Sequence, residues 1–252
     1  MKDNSITPLV SIITVVYNGE KYLEQTIQSV INQTYKNIEY IIIDGGSTDG
    51  TLDIVKKYEE HVSYWVSEPD KGLYDAMNKG IGLANGELIG MINSDDWYEL
   101  NVVELMVKAY INNPTKRIFH ADRYDIDENG NKKIKKFHPS EFKFKYYGMT
   151  YNHPSMFITK EEYSKHLYNT NLQALSDFQF VLEGYLKDKS IFFYIDEALV
   201  NYRLDGISAQ MQLLTALKEG YRSRKNAGMI LHENILSILV RLAMFAINKV
   251  RN

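Results

Sequence analysis

Cysteine is absent from the 252 residues, which removes disulfide frameworks, thiolate zinc sites and cysteine nucleophiles together. Carboxylates, histidines or hydroxyls must carry any chemistry, and the absence fits a reducing compartment. Also missing is an apolar run of the roughly 20 residues that a spanning helix needs. The nearest approach, Asn234 to Asn248, is broken by Arg241. The start, Met1 to Pro8, is polar, and the apolar run after it, Leu9 to Val16, is too short for a signal h-region. Export is therefore not expected. Neither charge is in large excess: a formal net charge of −3 and a pI near 6.1 give no global attraction to nucleic acid, which is not expected as a partner. Internal repeats and low-complexity linkers are lacking too. With 44% hydrophobic and 24% charged residues, the chain has material for one α/β domain plus an appendage.

The first half alternates between two periodicities. Val10 to Val16 is a β-branched run, and Glu20 to Gln33 follows with Leu23, Ile27, Val30 and Ile31 at helical spacing. Ile38 to Ile43, Val62 to Val66 and Leu88 to Ile92 read as further strands, separated by helical patterns over Thr51 to Tyr58 and Leu73 to Ala84. Strands bounded by helices predict a largely parallel sheet covered on both faces, with ligands at the carboxyl ends of its strands. After a helix at about Leu100 to Ile111 the character changes. Arg117 to Ala121 reads as a strand and Asp127 to Asn131 as a hairpin turn, with a basic return arm, Lys132 to Lys136. That arm is either a charged edge strand or a contact for phosphates or headgroups. Helices near Lys160 to His166 and Asp177 to Lys187, then a strand Ile191 to Ile195, complete the body.

Acidic residues fall where such a sheet puts its ligands. Asp44 ends the second strand before Gly45-Gly46-Ser47-Thr48-Asp49-Gly50; it suits a ribose hydroxyl or a base N–H, or else simply caps the turn. Asn93-Ser94-Asp95-Asp96 follows the strand that ends at Ile92. Two adjacent carboxylates there repel each other, a cost that a hard cation such as Mg²⁺ or Mn²⁺ bridging a diphosphate would relieve; the alternative is capping of the next helix. Asp177 opens a helix with Phe178, Val181, Leu182 and Tyr185 on its apolar side, either as an N-terminal cap or as a catalytic group.

Taken together, Val10 to Asn18, Asp44 to Thr51, the stretch Glu68-Pro69-Asp70-Lys71-Gly72-Leu73-Tyr74-Asp75-Ala76-Met77-Asn78-Lys79-Gly80, and Asn93 to Asp96 resemble, in order and spacing, family 2 glycosyltransferases. His153-Pro154-Ser155-Met156-Phe157, Ser176-Asp177-Phe178 and Asn201 to Ser208 look like that family's acceptor-side and lid motifs. The resemblance implies a GT-A fold, with a Rossmann-like nucleotide half and a C-terminal helical extension. It implies inverting transfer of a sugar from a nucleoside-diphosphate donor, weighted toward UDP with GDP and dTDP open, to a hydroxyl of a glycan or lipid-linked acceptor. By the same resemblance Val15 and Tyr17 hold the nucleobase, Asp44 hydrogen-bonds it, Asp95 sits near ribose and metal, and Asp96 ligates Mn²⁺ or Mg²⁺. Asp177 matches the catalytic base. Arg203 is a diphosphate partner or a surface ion-pair member, and His153 an acceptor contact or a structural histidine. The chain departs from the pattern at Met77, where many relatives carry Arg; at Ser176, where an acidic pair is usual; and at Leu204-Asp205, where many have a lid histidine.

The expected partition is a catalytic domain over residues 1–209, its nucleotide-sugar half about 1–99 and acceptor half about 100–209, with a helical tail over 210–252. In the tail Ile235, Leu236, Ile238, Leu239, Leu242, Phe245 and Ile247 make a wide apolar face. It docks onto the body or a second copy, or lies on an anionic membrane surface beside Arg241, Lys249 and Arg251. A cytoplasmic protein, at the cytoplasmic face of the inner membrane if its acceptor is lipid-linked, is the corresponding expectation. A dinucleotide-dependent oxidoreductase should carry G-x-G-x-x-G where this chain reads Tyr17-Asn18-Gly19-Glu20-Lys21-Tyr22. A sugar nucleotidyltransferase should carry a Gly-rich loop with Arg after the first strand, which is absent. The competing non-enzyme reading is a donor-binding but inactive subunit of a polysaccharide assembly complex.

Overall fold

The structure, a computed structural model, describes residues 7–204 and 213–251. Its first half is a run of βα units: β1 (Val10–Val16), α1 (Leu23–Ile31), β2 (Ile38–Asp44), α2 (Thr51–Lys57), β3 (Tyr64–Ser67), α3 (Leu73–Leu83) and β4 (Leu88–Asn93). Then come β5 (Trp97–Tyr98), α4 (Val102–Asn112), β6 (Ile118–Ile126), β7 (Lys132–Lys135), β8 (Phe157–Thr159), α5 (Lys160–Tyr163), α6 (Ser176–Lys187), β9 (Phe192–Arg203), α7 (Leu213–Asn226) and α8 (Leu231–Arg251). Among the described residues the strands form one sheet in the order β3-β2-β1-β4-β8-β6-β9-β5, with β7 on the side of β6.

The parallel reading holds for β3, β2, β1 and β4. It fails in the second half, where β8 runs antiparallel to both β4 and β6. The two strands that went unread, β5 and β8, span two and three residues, too few for a period to register. β9 extends well past the expected Ile195, along β6 across a bulge, as far as Arg203. β7 is the exposed basic edge, with Lys132 paired to Glu99 and Lys136 to Asp196.

Alternate side chains of the central strands feed two cores. Ile13, Val15, Ile41, Ile43, Ile89 and Met91 face α3 and α6, while Ile12, Tyr40, Ile42, Leu88 and Ile92 face α1 and α4. Burial on both faces is why these strands read as continuous apolar runs. α3 lies unusually close to β1: a β-carbon at Gly80 would stand 2.5 Å from the Ile13 side chain. Glycine at this position lets the helix settle onto the strand and brings its first turn over the sheet's carboxyl edge.

The tail packs on the body through polar groups. Asn234 and Ser237 are buried, and Arg241 donates to the Ala216 carbonyl at 2.8 Å. Ile235, Leu236, Leu239, Leu242, Phe245 and Ile247 are left exposed. Docking of the apolar face onto the body is therefore not what the fold adopts; the polar side faces inward, where Glu233 pairs with Lys145 at 3.0 Å and accepts from the Tyr146 hydroxyl at 3.3 Å. The side chains of Lys249 and Arg251 lie outside the described residues.

Candidate active site

The carboxyl ends of β1 and β2 and the following turns form one platform. Asn18, at φ 51°, turns the chain sharply just after Tyr17, a left-handed conformation that asparagine tolerates better than most residues. Its amide N–H donates to Ser47 Oγ at 2.7 Å, and its side-chain oxygen accepts from the Thr48 N–H at 2.9 Å. Tyr17 is left 65% exposed above this turn, free to stack. Val15 differs from expectation: its side chain is buried in the core against α3, so only its backbone borders the platform.

Asp44 departs further. It is 0% exposed, and its carboxylate accepts from the Gly46 N–H at 3.0 Å, the Ser47 N–H at 2.9 Å, the Ser67 hydroxyl at 2.6 Å and the Ser47 hydroxyl. Three of the four donors meet at Oδ2 and one at Oδ1, and with the residue fully buried the carboxylate presents no face to a base. Asp44 thus anchors the turn, the alternative its position before a glycine pair had left open. Met77, where a diphosphate-binding arginine would stand, is also in the core, at 2% exposure.

Asp95 and Asp96 occupy the tight turn between β4 and β5. Thr26 of α1 clamps that turn by donating to the Ser94 carbonyl at 2.9 Å and the Asp96 carbonyl at 2.6 Å. Neither acid caps α4, whose N-cap is Asn101. Asp96 is 1% exposed; its Oδ1 accepts from the Arg203 backbone N–H at 3.0 Å, whereas its Oδ2 has no partner among the described residues. Burial, reinforced by the neighbouring charge of Asp95, pushes the Asp96 carboxyl well above its ordinary range. An orphaned buried oxygen beside a second carboxylate is a donor set of the kind a hard divalent cation accepts. The described residues hold no group of three such ligands, so a cation here would take further oxygens from a bound diphosphate or water.

Arg203, at the end of β9, lies between the Tyr22 and Trp97 rings, 3.9 and 4.4 Å from their centroids. Its guanidinium donates to the Asp95 carbonyl and to Gln25 Oε1 at 2.7 Å. The residue thereby fastens the acidic turn from both its backbone and its side chain. The rest of the lid motif, Asp205-Gly206-Ile207-Ser208, lies outside the described residues.

Asp177 sits in the first turn of α6, and the hydroxyl of Tyr74, from the first turn of α3, donates to its Oδ1 at 3.1 Å. Tyr74 is backed by the Tyr168 ring, whose centroid is 5.7 Å away. Asn78, one turn along α3, holds the Tyr168 backbone with bonds of 2.8 and 3.0 Å. His153 shares a hydrogen bond of 2.9 Å with the Tyr168 hydroxyl; burial lowers its pKa against the pull of Asp177. It therefore lies within the field of Asp177 and is already committed to a protein partner. Sequence reading had not singled out Tyr74, Asn78 and Tyr168, although two of them stand inside the quoted third motif.

Tyr202 links the two halves of the site. Burial raises its phenol pKa; Arg123, stacked on its ring at 3.8 Å, opposes that shift, and the charges of Asp96, Asp95 and Asp177 all add to it. The charges of all three acids are therefore felt at one phenol. The loop before Asp177 is held from the tail: Glu219 of α7 accepts the N–H groups of Gln173 and Ala174 at 2.7 and 3.0 Å.

Comparison with known proteins agrees with this geometry. Residues 11–168 match the family model described as Glycosyl transferase family 2. The chain is 31% identical over 208 residues to MJ1057, an uncharacterized glycosyltransferase of Methanocaldococcus jannaschii, covering 78% of this chain and 71% of that one. In several other glycosyltransferase relatives the match is confined to 90–105 residues and covers between 15% and 34% of the relative. Among solved structures, residues 1-349 of TarS of S. aureus in complex with UDP superpose with a TM-score of 0.69 at 18% identity, covering 93% of this chain and 70% of that one. The mannosyltransferase PcManGT of Pyrobaculum calidifontis, in complex with GDP-Man and Mn²⁺, gives 0.67 at 14% identity, covering 96% of this chain and 76% of its own. At those identities the superpositions establish the fold, which is GT-A. With the family model spanning more than half of its length, the chain belongs to glycosyl transferase family 2 and is a glycosyltransferase.

Proposed function

We propose that this glycosyltransferase inverts the anomeric centre of its donor, with Asp177 as the base. The observation that carries the reading is the buried, unpartnered Oδ2 of Asp96 beside Asp95 just past the end of β4, with Asp177 near enough that the charges of all three acids raise the Tyr202 pKa. Tyr17 stacks on the nucleobase of a nucleoside-diphosphate sugar whose diphosphate lies over the β4–β5 turn. UDP is the preferred carrier, in keeping with the UDP complex of TarS, and GDP the next. Asp95 and Asp96 would hold Mn²⁺ or Mg²⁺, which when bound neutralises charge on the departing diphosphate. Asp177 takes the proton of the acceptor hydroxyl as that oxygen attacks the anomeric carbon from the side opposite the leaving group. Tyr74 orients the carboxylate, His153 and Tyr168 wall the acceptor side, and Arg203 fixes the acidic turn.

The acceptor is a glycan or lipid-linked hydroxyl. The exposed apolar face of α8, beside a groove of about 860 Å³ that includes Lys218, Arg222 and Lys225 in its lining, is suited to a lipid-bearing surface at which such an acceptor would be presented. Among the described residues no helix is long and apolar enough to cross a membrane. We keep the division into a catalytic body over 1–209 and a tail over 210–252 with one change of role: α7 braces the loop before Asp177.

Release of nucleoside diphosphate from a panel of nucleotide sugars in Mn²⁺ tests the reading. Turnover with at least one donor is expected, abolished in Asp177→Asn with UDP affinity within about twofold of wild type, since the base is not a donor contact. Donor binding without turnover, unchanged in Asp177→Asn, would instead support the inactive-subunit reading.

A further inference from the structure

Resting on the donor reading above, we propose that Asp70 is the residue that reads the nucleobase. Asp44 cannot do so, because its carboxylate is buried and engaged by its own turn and Ser67. The platform nevertheless has an acid in reach of the base. A β-carbon at position 45 would stand 2.5 Å from Asp70 Oδ2 and 3.5 Å from Tyr17 Cδ2. The Asp70 carboxylate thus fills the space that any side chain at position 45 would take, and since that one point lies 2.5 Å from Oδ2 and 3.5 Å from Cδ2, the oxygen is no more than about 6 Å from the stacking ring. Glycine at 45 is required by this arrangement: a larger residue would displace the carboxylate from the platform.

The carboxylate is aimed, and one of its oxygens is spare. Asp70 Oδ1 accepts the Gly72 N–H at 2.7 Å, which fixes the side-chain torsions. Oδ2 has no hydrogen-bond partner among the described residues. The turn carrying it is in turn tied to the β2 platform, with Glu68 N–H donating to the Asp44 carbonyl at 3.0 Å and the Ser67 hydroxyl to the Asp44 carboxylate at 2.6 Å. One rigid unit therefore carries a stacking ring and, close to that ring, an oxygen that only accepts hydrogen bonds.

That chemistry sorts the bases. A pyrimidine lying on Tyr17 turns its edge toward Asp70 Oδ2. Uracil offers N3–H to the oxygen, while cytosine offers the lone pair of N3 and is repelled. Among purines, guanine has N1–H where adenine has an acceptor. A site built around a single unpaired acceptor rejects the base that cannot donate more strongly than it favours the one that can, since the wrong base leaves two lone pairs facing each other.

Affinities of the full-length protein for UDP, CDP, GDP and ADP, in Mn²⁺ and measured by calorimetry for wild type and Asp70→Asn, test the assignment. Asparagine retains an oxygen for the Gly72 N–H and gains an N–H₂ toward the base, so the turn is kept and the sorting is inverted. Wild type is expected to bind UDP at least tenfold more tightly than CDP. In Asp70→Asn, UDP is expected to weaken at least fivefold while CDP holds or tightens, with the same trend for GDP against ADP. A UDP-to-CDP ratio unchanged by Asp70→Asn, or an equal loss for all four nucleotides, overturns the assignment and leaves the donor reading standing. Wild-type protein that binds none of the four overturns the donor reading, and this inference with it.

Discussion

The Tyr74 hydroxyl, on the first turn of α3, donates to Asp177 Oδ1, on the first turn of α6, across a separation of 3.1 Å. One bond thus joins a helix seated on the nucleotide-binding strands to the acid that would accept the acceptor's proton. The donor is strongly oriented: Tyr74 is 4% exposed, its ring is backed by Tyr168, and Asn78 holds Tyr168 to the same helix.

Removing that hydroxyl should cost rate and spare donor binding. A hydrogen bond to a charged group contributes about 1.5–3 kcal/mol, and part of it is lost as misorientation of the carboxylate. In Tyr74→Phe, kcat is expected to fall about 10–100-fold, with the donor KM within about twofold of wild type and a far-UV spectrum unchanged. Steady-state kinetics in donor and acceptor check this; an unaltered kcat would mean that the bond is only structural.

Much of the site was legible because its residues sit at strand ends in short motifs. Asp95 and Asp96 stand out by position and type, since adjacent acids at a sheet edge repel each other, whereas Asp177, on a helix's first turn where an acid is an ordinary cap, stands out only through the motif resemblance. The parallel half of the sheet was legible for a related reason: strands buried on both faces leave apolar runs that periodicity detects. Asp44 was misjudged because sequence cannot say whether a carboxylate before a glycine pair faces the ligand or its own turn. Three of its donors come from the next turn, and the fourth, the Ser67 hydroxyl, lies on another strand. Tyr74 and Tyr168 were missed since an aromatic at helical spacing looks like core, and it is core except for its hydroxyl. The tail's orientation was unreadable for the opposite reason. Its apolar face is the stronger pattern, yet Asn234, Ser237 and Arg241 are the groups with backbone carbonyls to satisfy.

Asp96 carries the expectation about metal. Its buried, unpartnered Oδ2 is costly to leave charged and worth most with a cation in contact. Asp96→Asn keeps the acceptor used by the Arg203 N–H and removes the charge. UDP affinity is expected to improve at least tenfold on adding Mn²⁺ to wild type, about 1.4 kcal/mol, and to show no such gain in Asp96→Asn. Equal UDP affinity for the two proteins in Mn²⁺ would contradict the metal assignment.

The tail should come loose in acid before the body does. The hydrogen bond from Lys145 holds the Glu233 carboxyl below its ordinary value of 4.5, and Glu233 in turn holds Lys145 above 10.5 against the effect of burial. Because the folded-state value of Glu233 is depressed, the pair's contribution is present above the unfolded carboxylate range and is lost as pH falls through the folded value. It fades again only where Lys145 deprotonates, far above neutrality. Protection of α8 against hydrogen exchange is expected to fall as pH drops below the ordinary carboxyl value of 4.5, ahead of the β1–β4 strands, and Glu233→Gln should be less protected already well above it. Identical pH profiles for α8 in the two proteins would remove the pair from the docking of the tail.

The outward face of α8 poses the last test. Leu239 is 58% exposed, Phe245 48% and Ile247 50% on one helix; the cost of leaving such a stripe in water, roughly 25 cal/mol per Å², favours whatever covers it. The nearby groove carries Lys218, Arg222 and Lys225, and cations flanking an apolar stripe suit the headgroup region of an anionic bilayer better than a second apolar protein surface. Cosedimentation with phosphatidylglycerol vesicles is expected for wild type and largely lost in Leu239→Glu/Phe245→Glu. Turnover on a soluble acceptor should stay within about twofold, because neither residue contacts the body's acid cluster. Loss of a dimer in solution, with vesicle binding unchanged, would assign the face to a second copy of the chain instead.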